Sequence, residues 1–409
     1  MDFLKALPLS ASSVVLACSS DEPGQAQRAI TFYGDVAPIL YESCADCHRS
    51  GGIGPFSVLS YDAAKAHSSS ILAHTADRHM PPMPVDNSGA CNTYSNARWL
   101  TDDQIGTIAA WVGGGSQQGD SSRRPLIPKP EPGLVAPDLT LDPGFEYMPK
   151  TERSDDYRCF VLPAPLAETR FVTAYEVVPG DPRVVHHAIV YQPEDETEAA
   201  KARQLDEDES GEGYTCFGGP RVNADPVALW APGGGVIQMP AGTGVGVSGG
   251  RDLVLQMHYN VSKGSYPDRS RVHLRFAESG VKPALFYAVA DGHLRLEPGR
   301  SYVETEATFE LDPNDRFVAH GAMPHMHTLG RTLEVSFEID GAEECFVRVD
   351  RWSFHWQNAW WYDSPKPMRD ARATTIRCGY DTSTRSDVVT WGEGTNDEMC
   401  LSYFYVTRE

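Results

Sequence analysis

Residues 332–339 read TLEVSFEI. Leu333, Val335, Phe337 and Ile339 alternate with polar partners, the period of two that lines one face of a strand. Working outward, the same texture fills the chain from about residue 146 to the C-terminus. The segments FVTAYEVV (171–178), HHAIVY (186–191), DLVLQMHYN (252–260), RVHLRF (271–276) and CLSYFYV (400–406) alternate or are rich in β-branched and aromatic residues. Gly, Pro and Asp turns separate them, and helix signals are nearly absent. The pattern predicts antiparallel sandwiches or jelly rolls. At this length two follow, residues 146–280 and 281–409, with a break near 277–282.

Residues 28–115 read as a small helical domain, with helices at 35–43, 61–77 and 101–112. The third has a Thr101/Gln104 capping box and a glycine stop at 113–115. A linker, 116–145, is rich in Gly, Ser, Gln and Pro. Its run PLIPKPEPGLVAP (125–137) excludes helix and central strand and predicts a semi-rigid, extended spacer. The 409 residues thus predict a mixed multidomain chain, one all-α domain followed by two all-β antiparallel jelly-roll sandwiches.

A hydrophobic content of 41% is enough for folded cores, and a net charge of −21 excludes a nucleic-acid partner by repulsion of the phosphate backbone. The acidic run at 194–212 reads as a solvated, mobile loop with no chemistry. No stretch of 18 apolar residues exists to span a membrane as a helix. Val15-Leu16-Ala17-Cys18 resembles a bacterial lipobox, where the signal is cut before the cysteine and the thiol takes lipid. Residues 1–27 are then signal and tether, with a lipid anchor on Cys18 and a place in the bacterial cell envelope, facing the periplasm or on the outer membrane. Nine cysteines point to an oxidising compartment.

Cys44-Ala45-Asp46-Cys47-His48 is a C-x-x-C-H haem attachment motif. The thiols add to the haem vinyl groups and His48 binds iron from one side. His79-Met80-Pro81-Pro82-Met83 supplies the opposite ligand. Met80 stands first, because the segment resembles the M-P-P context of small bacterial cytochromes c; Met83 and His79 follow. A thioether opposite His raises the potential and favours electron transfer. The 28–115 domain is therefore a cytochrome c domain with one covalent haem c. His67 and His74 read as surface or packing residues.

Four motifs stand out in the β region: Val185-His186-His187-Ala188, Gln256-Met257-His258-Tyr259, His325-Met326-His327, and Asp397-Glu398-Met399-Cys400. His325 and His327 share one strand face and can chelate one ion. Adjacent His186 and His187 point to opposite faces of a flat strand, so joint ligation needs a strand end, a bulge or a twist. Imidazole suits copper, and a thioether favours the cuprous state. Three histidines make one site, and two histidines with Met399 another.

In order, spacing and flanking residues these motifs resemble the copper type II, ascorbate-dependent monooxygenases, which include the peptidylglycine and dopamine hydroxylating enzymes. The tandem histidines match His186 and His187, H-Y matches His258-Tyr259, H-x-H-x-L-G matches His325, His327, Leu329 and Gly330, and D-E-M-C matches residues 397–400. The resemblance implies two sandwiches with one copper each and a solvent-filled cleft between. It gives electron transfer to the copper of His186, His187 and His258, and dioxygen to the copper of His325, His327 and Met399. It implies an enzyme that hydroxylates a substrate C–H bond.

It also implies the disulfides Cys159–Cys216 and Cys378–Cys400. Cys91 and Cys345 either bridge the haem domain to the second sandwich or stay as buried thiols, and the sequence leaves both open. Peptide-amidating relatives hold the peptide carboxylate with an Arg two residues before H-x-H and an Asn after Met-Cys. Here those positions are Met323 and Leu401, although Tyr403 keeps the family's Tyr, so a small, hydrophobic organic substrate is expected with dioxygen. The expected electron path runs from an external one-electron donor to haem, to the three-histidine copper, and then to the copper of Met399. The competing reading is a copper and haem electron-transfer or copper-binding protein without hydroxylase activity. The aromatic runs WSFHWQ (352–357) and WWY (360–362) read as core packing, His355 is not assigned as a ligand, and His320 is a candidate support for the copper of the H-x-H strand.

Overall fold

The structure is a computed structural model describing residues 28–409 apart from Ile53, Pro130, Glu131, Gly233, Gly234, Glu278, Ser279, Pro313, His355 and Thr395. The Cys18 site and its tether lie outside the described residues, as does His355.

The alternation at 332–339 is realised in the strand Gly330–Ile339, which buries Leu333, Val335 and Phe337. It lies in a four-stranded antiparallel sheet with Val303–Glu310, Ala371–Tyr380 and Ala342–Val349. A five-stranded antiparallel sheet holds Tyr214–Thr215, Asp155–Leu162, Leu253–Asn260, Val185–Pro193 and Ala224–Trp230, in that spatial order. Both pack on one nine-stranded sheet. Its order is Leu139–Leu141, Arg271–Phe276, Arg170–Val178, Thr243–Val247, Lys282–Ala290, Leu401–Arg408, Phe317–His325, Trp360–Pro367, with Ile237–Gln238 joined to Arg170–Val178.

The expected break at 277–282 therefore falls inside a continuous sheet. Lys282 pairs with Thr243 and Ala284 with Val245 in parallel, welding the two sandwiches edge to edge. Each keeps its own core, one around Tyr175, Leu255 and Tyr259, the other around Phe337, Phe346 and Phe404. The end of the expected linker also enters the large sheet, because Leu139–Leu141 pairs with Arg271–Phe276.

The N-terminal unit is helical, with Ala37–Ser43, Tyr61–Ala66, Ser68–Ala76 and Asp102–Gly113 around Phe32, Leu40, Ile108 and Trp111. The Thr101/Gln104 capping box forms. The single helix expected over 61–77 is two, because His67 leaves helical geometry and stacks on Phe56 with ring centroids 4.0 Å apart. Residues between Met83 and Tyr94 leave the helical unit altogether. Met83, Val85 and Tyr94 sit in the core of the second sandwich. Val85 bridges Val349, Tyr94 bridges Tyr362, and Cys91 is bonded to Cys345. The alternative left open for Cys91 and Cys345 is resolved as a disulfide.

The acidic run expected as a mobile loop contains a helix, Glu196–Asp208, capped by Asp195 accepting the Glu198 amide at 2.9 Å. Ala199 and Ala202 form a narrow apolar stripe, buried against the first sandwich. Arg158, 1% exposed, fastens the segment after the helix through Glu209 and the Glu212 carbonyl, each at 2.7 Å. The high charge hid a helix whose buried face is only two alanines wide.

Candidate metal centres

His186 and His187 open the strand Val185–Pro193. Val185 pairs with Tyr259 and His187 with His258, so the register shifts and His186 is the extra residue of a bulge. The bulge turns adjacent imidazoles toward one point, as joint ligation requires. Nδ1 of His187 lies 3.3 Å from Nδ1 of His186 and 3.2 Å from Nδ1 of His258. The ligand atoms of the three residues lie within 4.8 Å of one another.

His258 is 1% exposed. Its Nε2 faces Asp155 Oδ1 at 2.9 Å, which leaves Nδ1 for a cation. Tyr157 lies flat on the ring, with centroids 4.0 Å apart and its hydroxyl 3.1 Å from Nδ1. Burial, then the neighbouring imidazoles, hold His186 and His187 well below the usual histidine range; burial also lowers His258 against the opposing pull of Asp155. The three are neutral at physiological pH with lone pairs crowded together, which is a cation-binding arrangement.

The other set sits across the seam. His325 ends the strand Phe317–His325 and His327 follows two residues on. Their ring centroids are 5.2 Å apart, nearly perpendicular at 87°. His325 Nδ1 donates to Gln357 Oε1 at 2.5 Å, and His327 Nδ1 donates to the Asp397 carbonyl at 3.1 Å, so both Nε2 atoms remain for metal. Burial lowers His325 to about 4 and His327 to about 3. Met399 lines the same cleft. The disulfide Cys378–Cys400 pins the residue after it, and Tyr380 donates to the Met399 carbonyl at 3.0 Å. Cys159–Cys216 forms as well.

Glu398 is 0% exposed and ties the two motifs together. It accepts the amides of Leu329 at 2.6 Å, His327 at 2.9 Å and Met399 at 3.3 Å. Burial raises its carboxyl to about 7 while these donors pull it down. Within H-x-H-x-L-G, Gly330 is required by close packing, since a Cβ there would stand 2.7 Å from Trp352.

The two sets are closer than a solvent-filled cleft implies. His187 and His325 have ring centroids 6.5 Å apart, and Phe354 of the second sandwich stacks on His186 at 4.6 Å. Beside this contact lies an open cleft lined by Ile189, Leu229, Trp230, Met323, Leu401 and Tyr403 along with His187, His325, His327 and Met399. Glu393, half-buried and raised by burial, also lines it and accepts the Gly218 amide at 2.8 Å.

The helical unit holds a separate cavity, walled by Cys44, Cys47, His48, Leu40, Ile71, His74 and Met80. Both thiols are free, and burial pushes Cys44 up to about 12. His48 Nδ1 donates to the Phe56 carbonyl at 3.0 Å, leaving Nε2 free. A Cβ at Gly54 would stand 2.8 Å from the His48 ring, so glycine is needed beneath it. Met80 lines the cavity, Met83 packs in the second sandwich and His79 is exposed. His74, read as surface or packing, reaches the cavity wall.

Asp155, Tyr157, Gln357 and Glu398 were not singled out for these roles by the sequence. Glu398 lay inside a quoted motif and Gln357 closed the aromatic run read as core packing; for Asp155 and Tyr157 no spacing signal existed, because they arrive from another strand. His320, expected as a support for the metal, bonds Thr407 at 3.0 Å and packs beside Tyr405 instead.

Fold and side chains together give a double β-sandwich with one cluster of three imidazoles that could hold a metal ion and, across the seam, two imidazoles with Met399 on the same cleft. Residues 145–265 match the family model for the N-terminal domain of copper type II ascorbate-dependent monooxygenases, and residues 301–407 match that for the C-terminal domain. Together they take in more than half of the chain, which belongs to this family. It is 29% identical over 276 residues to tyramine beta-hydroxylase of Caenorhabditis briggsae, covering 61% of this chain and 45% of that one. It is 26% identical over 303 residues to dopamine beta-hydroxylase of Rattus norvegicus, covering 66% and 45%. It is 22% identical to DBH-like monooxygenase protein 1 of Homo sapiens, covering 70% and 50%. The chain spans about half the length of the curated relatives it matches.

Proposed function

We propose that this chain is a copper-dependent monooxygenase that hydroxylates a C–H bond of a small, hydrophobic organic molecule, with electrons entering through a covalent haem c in the helical unit. The observation that carries the reading is the pairing of two buried, neutral donor sets of different softness across one apolar cleft. Copper at these sites supplies one-electron chemistry and activates dioxygen.

The residues do the rest. Asp155 fixes His258, Gln357 fixes His325, and the Asp397 carbonyl fixes His327, so each ring presents one chosen nitrogen. Glu398 holds the His327 and Met399 backbones in register. Met323 and Leu401 supply apolar wall where a carboxylate anchor is otherwise expected, which favours an apolar substrate. Apolar lining also keeps water from competing for the site. One oxygen atom enters the product and the other leaves as water, with two electrons and two protons taken up.

In the helical unit Cys44 and Cys47 would attach the haem, and His48 and Met80, both on the cavity wall, would ligate its iron. Lipidation at Cys18 and a bacterial envelope location complete the proposal. The test is stoichiometry of the purified chain. Two coppers and one covalent haem c per chain are expected; a single copper, or zinc retained at both sites, contradicts the reading.

A further inference from the structure

Trp352, Phe354, Trp356 and Gln357 between them touch all three candidate cofactor sites. Trp352 donates its indole N–H to the His327 carbonyl at 2.9 Å. Phe354 stacks on His186 at 4.6 Å and 27°. Trp356 forms part of the wall of the cavity holding Cys44, Cys47, His48 and Met80, although it belongs to the second sandwich. Gln357 receives His325. The turn is tied internally, the Trp356 amide to the Ser353 carbonyl at 3.1 Å and the Gln357 side chain to the Phe354 carbonyl at 2.9 Å.

Core packing accounts for Trp352, which joins the second core. It does not account for Phe354 and Trp356, half-buried residues aimed at a histidine of the first sandwich and at the helical unit. The helical unit is also fixed against this turn, not merely tethered. Arg351 donates to the Asp77 carbonyl, and the segment that runs from the unit into the second sandwich is held there by Cys91–Cys345, by Asn92 donating to the Phe346 carbonyl at 2.6 Å and by Asn96 donating to the Ala359 carbonyl at 2.7 Å.

We propose that Trp356, Ser353 and Phe354 are the electron bridge from the haem cavity to the three-histidine site, an inference that rests on the haem-first route above. The path would begin at Trp356 on the wall of the haem cavity. It follows the Trp356 N–H to the Ser353 carbonyl, whose carbon is bonded to the Phe354 nitrogen, and crosses the ring stack to His186. Each passage oxidises ferrous haem to ferric and reduces one cupric ion to cuprous; no bond breaks and no proton crosses. Two passages supply the two electrons that, with two protons and one dioxygen, convert C–H to C–OH and water. An external one-electron donor then re-reduces the haem. Phe354 also meets His327 edge-on with ring centroids 6.0 Å apart, but its closer, stacked contact at 4.6 Å is to His186, so the electron enters at the three-histidine site.

The test uses the full chain loaded with haem and cupric copper. The haem is photoreduced without oxygen, its reoxidation followed by absorbance, and copper reduction by freeze-quench electron paramagnetic resonance. Trp356→Leu and Phe354→Leu are each expected to slow haem reoxidation about tenfold or more. Trp356→Phe and Phe354→Tyr are expected to restore most of the rate. Unchanged rates in both leucine variants, or slowing that only tracks a shifted haem potential, overturn the bridge while leaving the attached haem in place. Absence of covalent haem from the unaltered chain removes the haem-first route and the bridge with it.

Discussion

Glu398→Ala tests the claim that one buried carboxylate holds the thioether site together. Glu398 accepts two short backbone hydrogen bonds, from Leu329 and His327, and a longer one from Met399. Alanine strands these donors where water does not reach. Each orphaned buried donor costs about 1–3 kcal/mol, so the two short bonds alone set a loss of roughly 2–6 kcal/mol. Glu398→Gln keeps one acceptor oxygen and turns an amide N–H₂ toward the remaining donor, so its loss is smaller. Copper affinity at the His325, His327 and Met399 site should also fall, by about 10–100-fold, as the ligand backbones loosen. The assay pairs urea denaturation of the metal-free chain with copper titration against a competing chelator. Stability within about 1 kcal/mol of the unaltered chain, with unchanged copper affinity at that site, refutes the reasoning.

Other outcomes follow from the same contacts. Asp155→Ala removes the partner of His258 Nε2 and should weaken copper binding at the three-histidine site by about 10–100-fold while sparing the other, read by site-resolved electron paramagnetic resonance. Cys91→Ser opens a covalent link across a sequence separation of 254 residues; chain entropy puts the loss at up to roughly 5 kcal/mol, and limited proteolysis should now release the helical unit. His48→Ala should abolish turnover driven by a reduced donor protein yet spare turnover driven by a small dye, measured by oxygen uptake, whereas loss of both points to a folding role for the haem.

Periodicity made the β sandwiches legible, because strands such as Gly330–Ile339 bury one face and expose the other. The metal-facing residues were legible because ligands cluster in short motifs. What positions them was not. Asp155 reaches His258 from a neighbouring strand 103 residues away, and Gln357 reaches His325 from a turn 32 residues on. The tandem histidines left a strand end, a bulge or a twist open, and only the pairing shift at His186 selects the bulge. The weld between sandwiches depends on parallel pairing of Lys282 with Thr243, a tertiary choice outside any strand pattern. The helix Glu196–Asp208 was obscured by its charge, since two alanines suffice as its buried face. The aromatic run at 352–357 looked like core because aromatic residues usually are; only its neighbours distinguish Phe354 and Trp356 from Trp352.

The central claim, that the two donor sets act together as a copper hydroxylase, is tested most directly with isotopic oxygen. The copper- and haem-loaded chain is given ¹⁸O₂, a one-electron donor and a panel of phenethylamines, aromatic hydrocarbons and acyl-glycines, with products read by mass spectrometry. The account predicts an apolar member of the panel carrying one labelled oxygen atom, formed with consumption of two electrons per dioxygen. Dioxygen consumed with no label entering any product, or no dioxygen consumed with any of them, contradicts it.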